Sequence, residues 1–242
     1  MDRPMKIGLI GFGKMGKAIQ EIAQQRGHQI SWTIDSSNQH LLNVEMLKQA
    51  AVAIEFTSPH SALQNISKCL EAGTPVVCGS TGWTSSLATA EALCKEKNGS
   101  FIYASNFSIG VNLFFELNKK LASLMANQPN YEVILEEIHH THKKDAPSGT
   151  SITLAEQILE ILNRKKQWVN DISDNPEDLE IISQRIDPTP GTHSIKYSSV
   201  IDDIEIIHTA HNRTGFATGA VKAAEYIYNK KGIFTMKDVL GL

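Results

Sequence analysis

The chain has 242 residues, 41% of them hydrophobic and 20% charged, with a formal net charge of −3 at pH 7. That length and apolar content allow one large or two small packed domains, and the lack of a basic excess argues against nucleic acid or an anionic membrane as a partner. The longest apolar runs are strand-sized, too short to cross a bilayer, and the first residues carry no signal-peptide apolar region.

Met5–Ile10 reads as a short apolar strand, followed at once by Gly11-Phe12-Gly13-Lys14-Met15-Gly16 and then by Lys17–Ala23, whose apolar residues recur at helical spacing. A GxGxxG run between a strand and a helix is a dinucleotide-binding fingerprint. Gly11 permits the tight turn, Gly13 lets backbone approach a pyrophosphate, and Gly16 packs helix on strand. A second strand, Gln29–Ile34, ends in Asp35, about twenty residues past the glycines, where a carboxylate can accept hydrogen bonds from the adenosine ribose. A glycine turn in some other α/β protein is the plainer alternative.

The alternation continues with a third strand over Ala51–Phe56. Ser58-Pro59 then supplies an N-cap and a first-turn proline for a helix through Leu70, which Gly73 ends. Pro75–Cys78 and Phe101–Ala104 follow as strands, leading into Gly79-Ser80-Thr81-Gly82 and Ser105-Asn106-Phe107. Strands alternating with helices imply a doubly wound parallel sheet of Rossmann type, which binds ligands at the strands' carboxyl ends. Thr57, Thr81 and Asn106 all follow strand ends there, although each alone is ordinary turn chemistry.

Beyond Asn106 the pattern changes. A helix over Val111–Met125 leads to a strand at Val133-Ile134-Leu135, and a helix at Ser151–Leu162 follows a chemically dense loop. After a polar stretch from Lys165 to Asp178 come three extended runs, Leu179–Ile186, Ser194–Ile201 and Ile204–Ala210, separated by short turns, which reads as an antiparallel meander. An α+β second domain over residues 108–213 with a mostly antiparallel sheet is expected. Residues 1–107 with 214–242 form the first domain, on which the alanine-rich helix Gly215–Asn229 packs back. Cys69, Cys78 and Cys94 lack CxxC spacing and read as reduced structural thiols of a cytosolic protein.

The chemistry is expected in the loop Glu136–Thr150. Histidine changes charge near neutral pH, so His139, His140 and His142 are candidate general acids or bases, and Lys143 and Lys144 can bind anions or donate a proton. Ser148-Gly149-Thr150 opens a helix, where backbone N–H groups favour a carboxylate or phosphate, and Gly149 carries no side chain to obstruct it. The combination suits a small anionic substrate that receives a proton. One packed and one solvated imidazole beside a solvated lysine pair is the bland reading. A metal held by His140, His142 and Glu136 is disfavoured by the two cations that follow, and no metal is expected.

The glycine fingerprint, Gly79–Gly82, Ala104–Asn112 and above all His139-His140-Thr141-His142-Lys143-Lys144-Asp145-Ala146-Pro147-Ser148-Gly149-Thr150 make the chain resemble the dihydrodipicolinate reductase family, now called 4-hydroxy-tetrahydrodipicolinate reductases, over nearly its whole length. The resemblance implies His139 as proton donor or acceptor and Lys143 as a second donor. His140, Gly149 and Thr150 become substrate contacts, with Ser148 and Thr81 beside them. It implies an NADH or NADPH site at Gly11, Phe12, Gly13, Lys14, Met15, Gly16, Asp35, Phe56, Thr57, Gly79, Ser80, Thr81, Ala104, Ser105, Asn106 and Phe107. Arg213 matches a family arginine at the return to the first domain.

It further implies cytoplasmic lysine and diaminopimelate biosynthesis and a homotetramer. Two other readings stay open on the residues alone: a dehydrogenase of another small acid or sugar, and a dinucleotide sensor without turnover. The glycine loop is one residue shorter than in some members, and Ser36–Ala50 is abbreviated. Ser36 also follows Asp35 where some members have arginine, so NADH is expected to serve at least as well as NADPH.

Overall fold

The computed structural model describes residues 4–212 and 214–242. In chain order, β1 (Lys6–Ile10) leads to α1 (Lys14–Gln25), β2 (Gln29–Ile34), a single-turn α2 (Val44–Leu47), β3 (Val52–Glu55), α3 (Pro59–Glu71), β4 (Val76–Cys78), α4 (Leu87–Glu96) and β5 (Ser100–Tyr103). Then come α5 (Ile109–Met125), β6 (Glu132–His139), α6 (Gly149–Ile161), β7 (Gln167–Val169), β8 (Asp178–Arg185), β9 (Gly191–Ser198) and β10 (Asp203–Ala210). The chain closes with α7 (Thr214–Ile227), β11 (Gly232–Phe234) and α8 (Met236–Leu240). It divides into two compact units, one through Ile109 together with the segment carrying α7, the other Gly110–Asn212.

The first unit holds a six-stranded sheet in the order β11-β5-β4-β3-β1-β2, with every pairing parallel. Its inner strands are buried on both faces, as parallel strands covered by helices must be. Ile7 and Leu9 pack with Ile19 and Ala23 of α1 and with Ala217, Ala220, Val221 and Ala224 of α7, whereas Ile10 points the other way, toward Ala62 and Ile66 of α3 and Ala90 of α4. The strand order reverses between β1 and β3, and a ligand crevice opens at the carboxyl ends of such a pair. Ser58 occupies the N-cap position of α3 but makes no capping bond. Its hydroxyl lies 2.9 Å from that of Ser61 instead, and Pro59 opens the helix. Cys69, Cys78 and Cys94 are unpaired and buried, and burial pushes all three thiols up, so none is a nucleophile at neutral pH.

The second unit departs from the expected meander. Its five strands run β10-β9-β6-β8-β7; β10 with β9 and β9 with β6 are antiparallel, but β6 with β8 and β8 with β7 are parallel. The sheet is therefore mixed rather than mostly antiparallel, and β8 does not touch β9. The physical reason is α6: a helical crossover returns the chain in the direction of β6, so β8 joins β6 in parallel and β9 crosses to the other edge. Leu154, Ala155 and Ile158 of α6 and Phe114, Ala122 and Met125 of α5 pack on Val133, Leu135, Ile181, Ile195 and Tyr197 of this sheet. The polar stretch after α6 contains the short β7 and a buried ammonium, Lys165, whose Nζ donates to Glu132 Oε2 and to the carbonyls of Pro176 and Asp178, each at 2.9 Å.

Candidate active site

At the β1–α1 turn, Gly11 has φ +97°, and a Cβ there would stand 1.9 Å from the Phe56 carbonyl oxygen. The turn thus needs glycine for its conformation and for the contact of the loops after β1 and β3 at the switch point. A Cβ on Gly16 would stand 2.2 Å from the Gly11 carbonyl, whereas nothing lies within 4 Å of one on Gly13. Gly13 is the N-cap of α1 and caps it with no side chain, so the first turn of the helix, flanked by the exposed Lys14, faces open space. This is the cradle a pyrophosphate requires.

Asp35 stands exposed just past β2. Its Oδ1 accepts from Ser37 N at 2.8 Å and Ser37 Oγ at 2.6 Å, and the Ser37 hydroxyl foremost holds the carboxyl below its usual range. Thr57 N donates to Ser80 Oγ at 2.7 Å, joining the loops after β3 and β4. Thr57, Thr81 and Ser105 are exposed there, Phe56, Gly79, Ala104 and Asn106 are half-buried, and the Phe12 and Met15 side chains lie against the core. Phe107, by contrast, is a core side chain packed with α7, so only its backbone is available to a ligand. Behind this rim lies a residue that sequence reasoning passed over. Glu55, fully buried at the end of β3, accepts from Thr57 Oγ1 and from the Cys78 thiol, the latter at 3.1 Å, and so stiffens the loop.

In the second unit, β6 extends to His139 rather than stopping at Leu135, and its strict alternation buries Val133, Leu135, Glu137 and His139 on one face. Glu136 to His139 are thus strand, not loop. Glu137, another residue missed, organises the turn between β6 and α6. It accepts from Ser148 N (3.0 Å), Ser151 Oγ (2.8 Å), Ser183 Oγ (2.8 Å) and Arg185 Nη2 (3.2 Å). Burial pushes its carboxyl up, but the bonds from Ser148, Ser151 and Ser183 outweigh that and bring it to about 2. Arg185, also missed, donates from the same Nη2 to the Asp145 carbonyl at 2.6 Å and so pins the loop to β8.

His139 is buried beside this carboxylate, its Nδ1 3.5 Å from Glu137 Oε2, and its ring meets the edge of His193 with centroids 5.1 Å apart. Desolvation lowers its pKa below the ordinary histidine value, and the Glu137 charge opposes that fall. Burial lowers His193 further, to about 4, which keeps it neutral. Lys143 Nζ lies 2.8 and 2.7 Å from the two carboxylate oxygens of the exposed Asp145. His140 is half-buried and His142 exposed, with ring centroids 6.3 Å apart.

Ser148, expected to touch substrate, is buried. Its hydroxyl accepts from Ser151 N at 3.2 Å as the N-cap of α6 and lies 3.2 Å from His193 Nε2. Gly149 is exposed, with nothing within 4 Å of where a Cβ would stand, and Thr150 is half-buried. Arg213 lies outside the described residues.

Among the described residues the cluster with metal-ligand spacing is Glu137, His139 and His193, rather than His140, His142 and Glu136. A dication fits it poorly. The Glu137 oxygens already accept hydrogen bonds from four groups, one of them a guanidinium that would repel the ion.

The family model of the dihydrodipicolinate reductase N-terminus matches residues 5–107, and that of the dihydrodipicolinate reductase C-terminus matches 110–240. A 4-hydroxy-tetrahydrodipicolinate reductase of Christiangramia forsetii is 50% identical over 238 residues, 98% of each chain. One from Acinetobacter baumannii is 31% identical, covering all of this chain and 98% of its own. The solved structure of a dipicolinate-bound dihydrodipicolinate reductase from Paenisporosarcina sp. TG-14 superposes with TM-score 0.77 at 23% identity over 98% of this chain and 99% of that one, so the two share a fold. A dehydrogenase from Clostridium difficile has TM-score 0.57 at 12% identity over 99% of this chain and 96% of its own. With both family models matched in order across nearly the whole length, and a relative at 50% identity end to end, the chain belongs to the dihydrodipicolinate reductase family.

Proposed function

We propose that the chain is an NAD(P)H-dependent 4-hydroxy-tetrahydrodipicolinate reductase, reducing a cyclic imine dicarboxylate to tetrahydrodipicolinate in lysine and diaminopimelate biosynthesis. Beyond family membership, one observation carries this reading: a buried imidazole, a half-buried ammonium and the open first turn of α6 are gathered at the end of one strand, as protonating a small dicarboxylate requires. A sensor without turnover has no use for that set.

Residues through Ile109 with the α7 segment form the dinucleotide domain in this reading, and Gly110–Asn212 binds substrate and assembles the oligomer. Gly11–Gly16 hold the pyrophosphate, Asp35 the adenosine ribose, and the rims at Phe56–Thr57, Gly79–Thr81 and Ala104–Phe107 border the nicotinamide. The bound cofactor supplies the hydride. The protein orients the substrate and moves the proton. The backbone at Gly149 and Thr150 takes one carboxylate, with His140 beside the substrate. Lys143 exchanges its Asp145 partner for a substrate carboxylate, and His139 or Lys143 protonates the nitrogen system that reduction leaves electron-rich.

Coupling dihydrodipicolinate synthase to the purified protein and following nicotinamide absorbance tests this. Protein-dependent cofactor oxidation is expected, with kcat/KM for NADH at least equal to that for NADPH. Asp35 is anionic, and a 2′-phosphate placed there meets like charge, with the Ser36 hydroxyl rather than an arginine following it in the chain. A tenfold preference for NADPH, about 1.4 kcal/mol, would show that a cation reaches that phosphate. No turnover with freshly generated substrate and a protein that binds dinucleotide would return the sensor reading.

A homotetramer assembled through the second unit is part of the proposal. The edge strand β10 leaves Ile207 58% exposed, and the β9–β10 turn leaves Ile201 85% exposed. An apolar, unpaired edge is a liability that self-association removes. Light scattering at micromolar concentration should give about four chain masses, and an active monomer would rule assembly out. The reading includes a cytoplasmic location, supported by three buried, unpaired cysteines.

A further inference from the structure

We infer that Glu137 is the positioning residue of the proton-transfer step: its buried carboxylate holds the Nδ1–H tautomer of His139, leaving Nε2 to exchange the proton, and locks the α6 turn beside it. The inference rests on the reading of His139 as the acid, which it deepens.

The geometry fixes the ring from three sides. Nδ1 is buried without a hydrogen-bond partner at full bonding distance, and Glu137 Oε2 lies 3.5 Å away. The edge-on packing of His193 and the bare Cα of Gly191 restrict rotation, since a Cβ at 191 would come within 3.1 Å of His139 Nε2. An uncharged Nδ1 facing a carboxylate carries a proton, because two bare acceptors repel each other, and the opposite nitrogen is then the bare one. The same carboxylate receives Ser148 N and Ser151 Oγ from the first turn of α6, and Arg185 links it to the Asp145 carbonyl. One buried anion therefore couples the orientation of the imidazole to the place where a substrate carboxylate docks.

Glu137 is a stronger anchor than a solvated acid. Its hydrogen bonds keep it ionised down to about pH 2, so its charge is constant wherever the enzyme works. The charged and titratable groups around His139 are Glu137 on its own strand, Lys143 and Asp145 from the loop, Arg185 from β8 and His193 from β9. Burial, Lys143 and Arg185 lower the imidazole, while Glu137 and Asp145 raise it. If protonated His139 is the acid, kcat/KM falls as pH rises through its pKa. Removing the Glu137 charge leaves the lowering influences opposed by Asp145 alone among these groups, so that alkaline limb moves to lower pH.

The test has two arms. Glu137→Gln should shift the alkaline limb of kcat/KM down by about one pH unit and lower kcat more than it raises KM. Glu137→Asp should restore much of the limb, since it keeps the charge. Independently, nitrogen-15 histidine spectra of the wild-type protein, with His139 assigned by its loss in His139→Gln, should show neutral His139 protonated on Nδ1. Neutral His139 protonated on Nε2 overturns the proposal, and that arm stands alone if Glu137→Gln does not fold. A Glu137→Gln enzyme with an unmoved pH limb also overturns it. Absence of wild-type turnover at every pH would sink the functional reading instead, and the spectra would still decide the tautomer.

Discussion

His139→Gln lowers kcat by roughly 10²–10⁴-fold, the contribution of a positioned general acid, while dinucleotide affinity stays near wild type. The two effects separate because the residues belong to different units. The glycine cradle and Asp35 lie in the first, and His139 lies at the end of β6 in the second. Glutamine keeps a polar side chain over Gly191 but cannot carry a transferable proton at neutral pH. Lys143→Ala should lower kcat similarly and also raise KM, because its ammonium would pair with a substrate carboxylate. Lys143 already shows that affinity by its bidentate contact with Asp145. Steady-state kinetics with a fluorescence titration of cofactor binding measures both parameters. A His139→Gln enzyme within threefold of wild-type kcat would remove the imidazole from the mechanism. Exhaustive chelation should leave the wild-type rate unchanged, since the cationic neighbour of Glu137 disfavours a dication.

Gly11→Ala is the most damaging single-methyl change expected in the first unit. Its φ of +97° costs an L-residue about 1–3 kcal/mol. The added carbon also meets the Phe56 carbonyl oxygen at 1.9 Å, and backbone cannot give way as a flexible side chain can. Together these come to about 3 kcal/mol or more, enough to lower the melting temperature by several degrees and to abolish measurable dinucleotide binding by opening the β1–β3 switch point. Gly13→Ala, which meets nothing within 4 Å, should leave stability near wild type and weaken only the cofactor. Thermal melts of the two variants, with and without NADH, distinguish them. Equal melting temperatures for Gly11→Ala and wild type would mean that the turn relaxes at no cost.

Local signals made most of this architecture legible. Strand β2 coincides with the run Gln29–Ile34, since alternation and the following Asp35 bound it on both sides, and the glycine fingerprint fell on the β1–α1 turn, where Gly11 and Gly16 leave no room for a Cβ. The sequence was less informative where the determining contact is distant. Glu136-Glu137 looks like solvated loop because nothing adjacent reveals that Ser148, Ser151, Ser183 and Arg185 converge on the second carboxylate. The period-2 pattern Val133, Leu135, Glu137, His139 was the available signal, and two polar residues at its end hid it.

The meander holds for β9 and β10 but not for β8, for a related reason. Three strands in succession predict neighbours, yet α6 had already set β6 down as the partner of both β8 and β9. Ser148 is the buried N-cap of α6, and nothing adjacent in sequence reveals that its hydroxyl also meets His193. The edge strands β7 and β11 are three residues each, too short for periodicity to register.

The placement of α7 governs the order in which the molecule can be completed during synthesis. Ala217, Ala220, Val221, Ala223, Ala224 and Ile227 close one face of the first unit's sheet, and Met236 of α8 joins them. Until those residues leave the ribosome, Ile7, Leu9, Val52 and Ile54 have only α1 to cover them. The second unit is contiguous, so its helices and five strands are all available before the first unit's last helix emerges. The dinucleotide fold that begins the chain is therefore the last to be sealed.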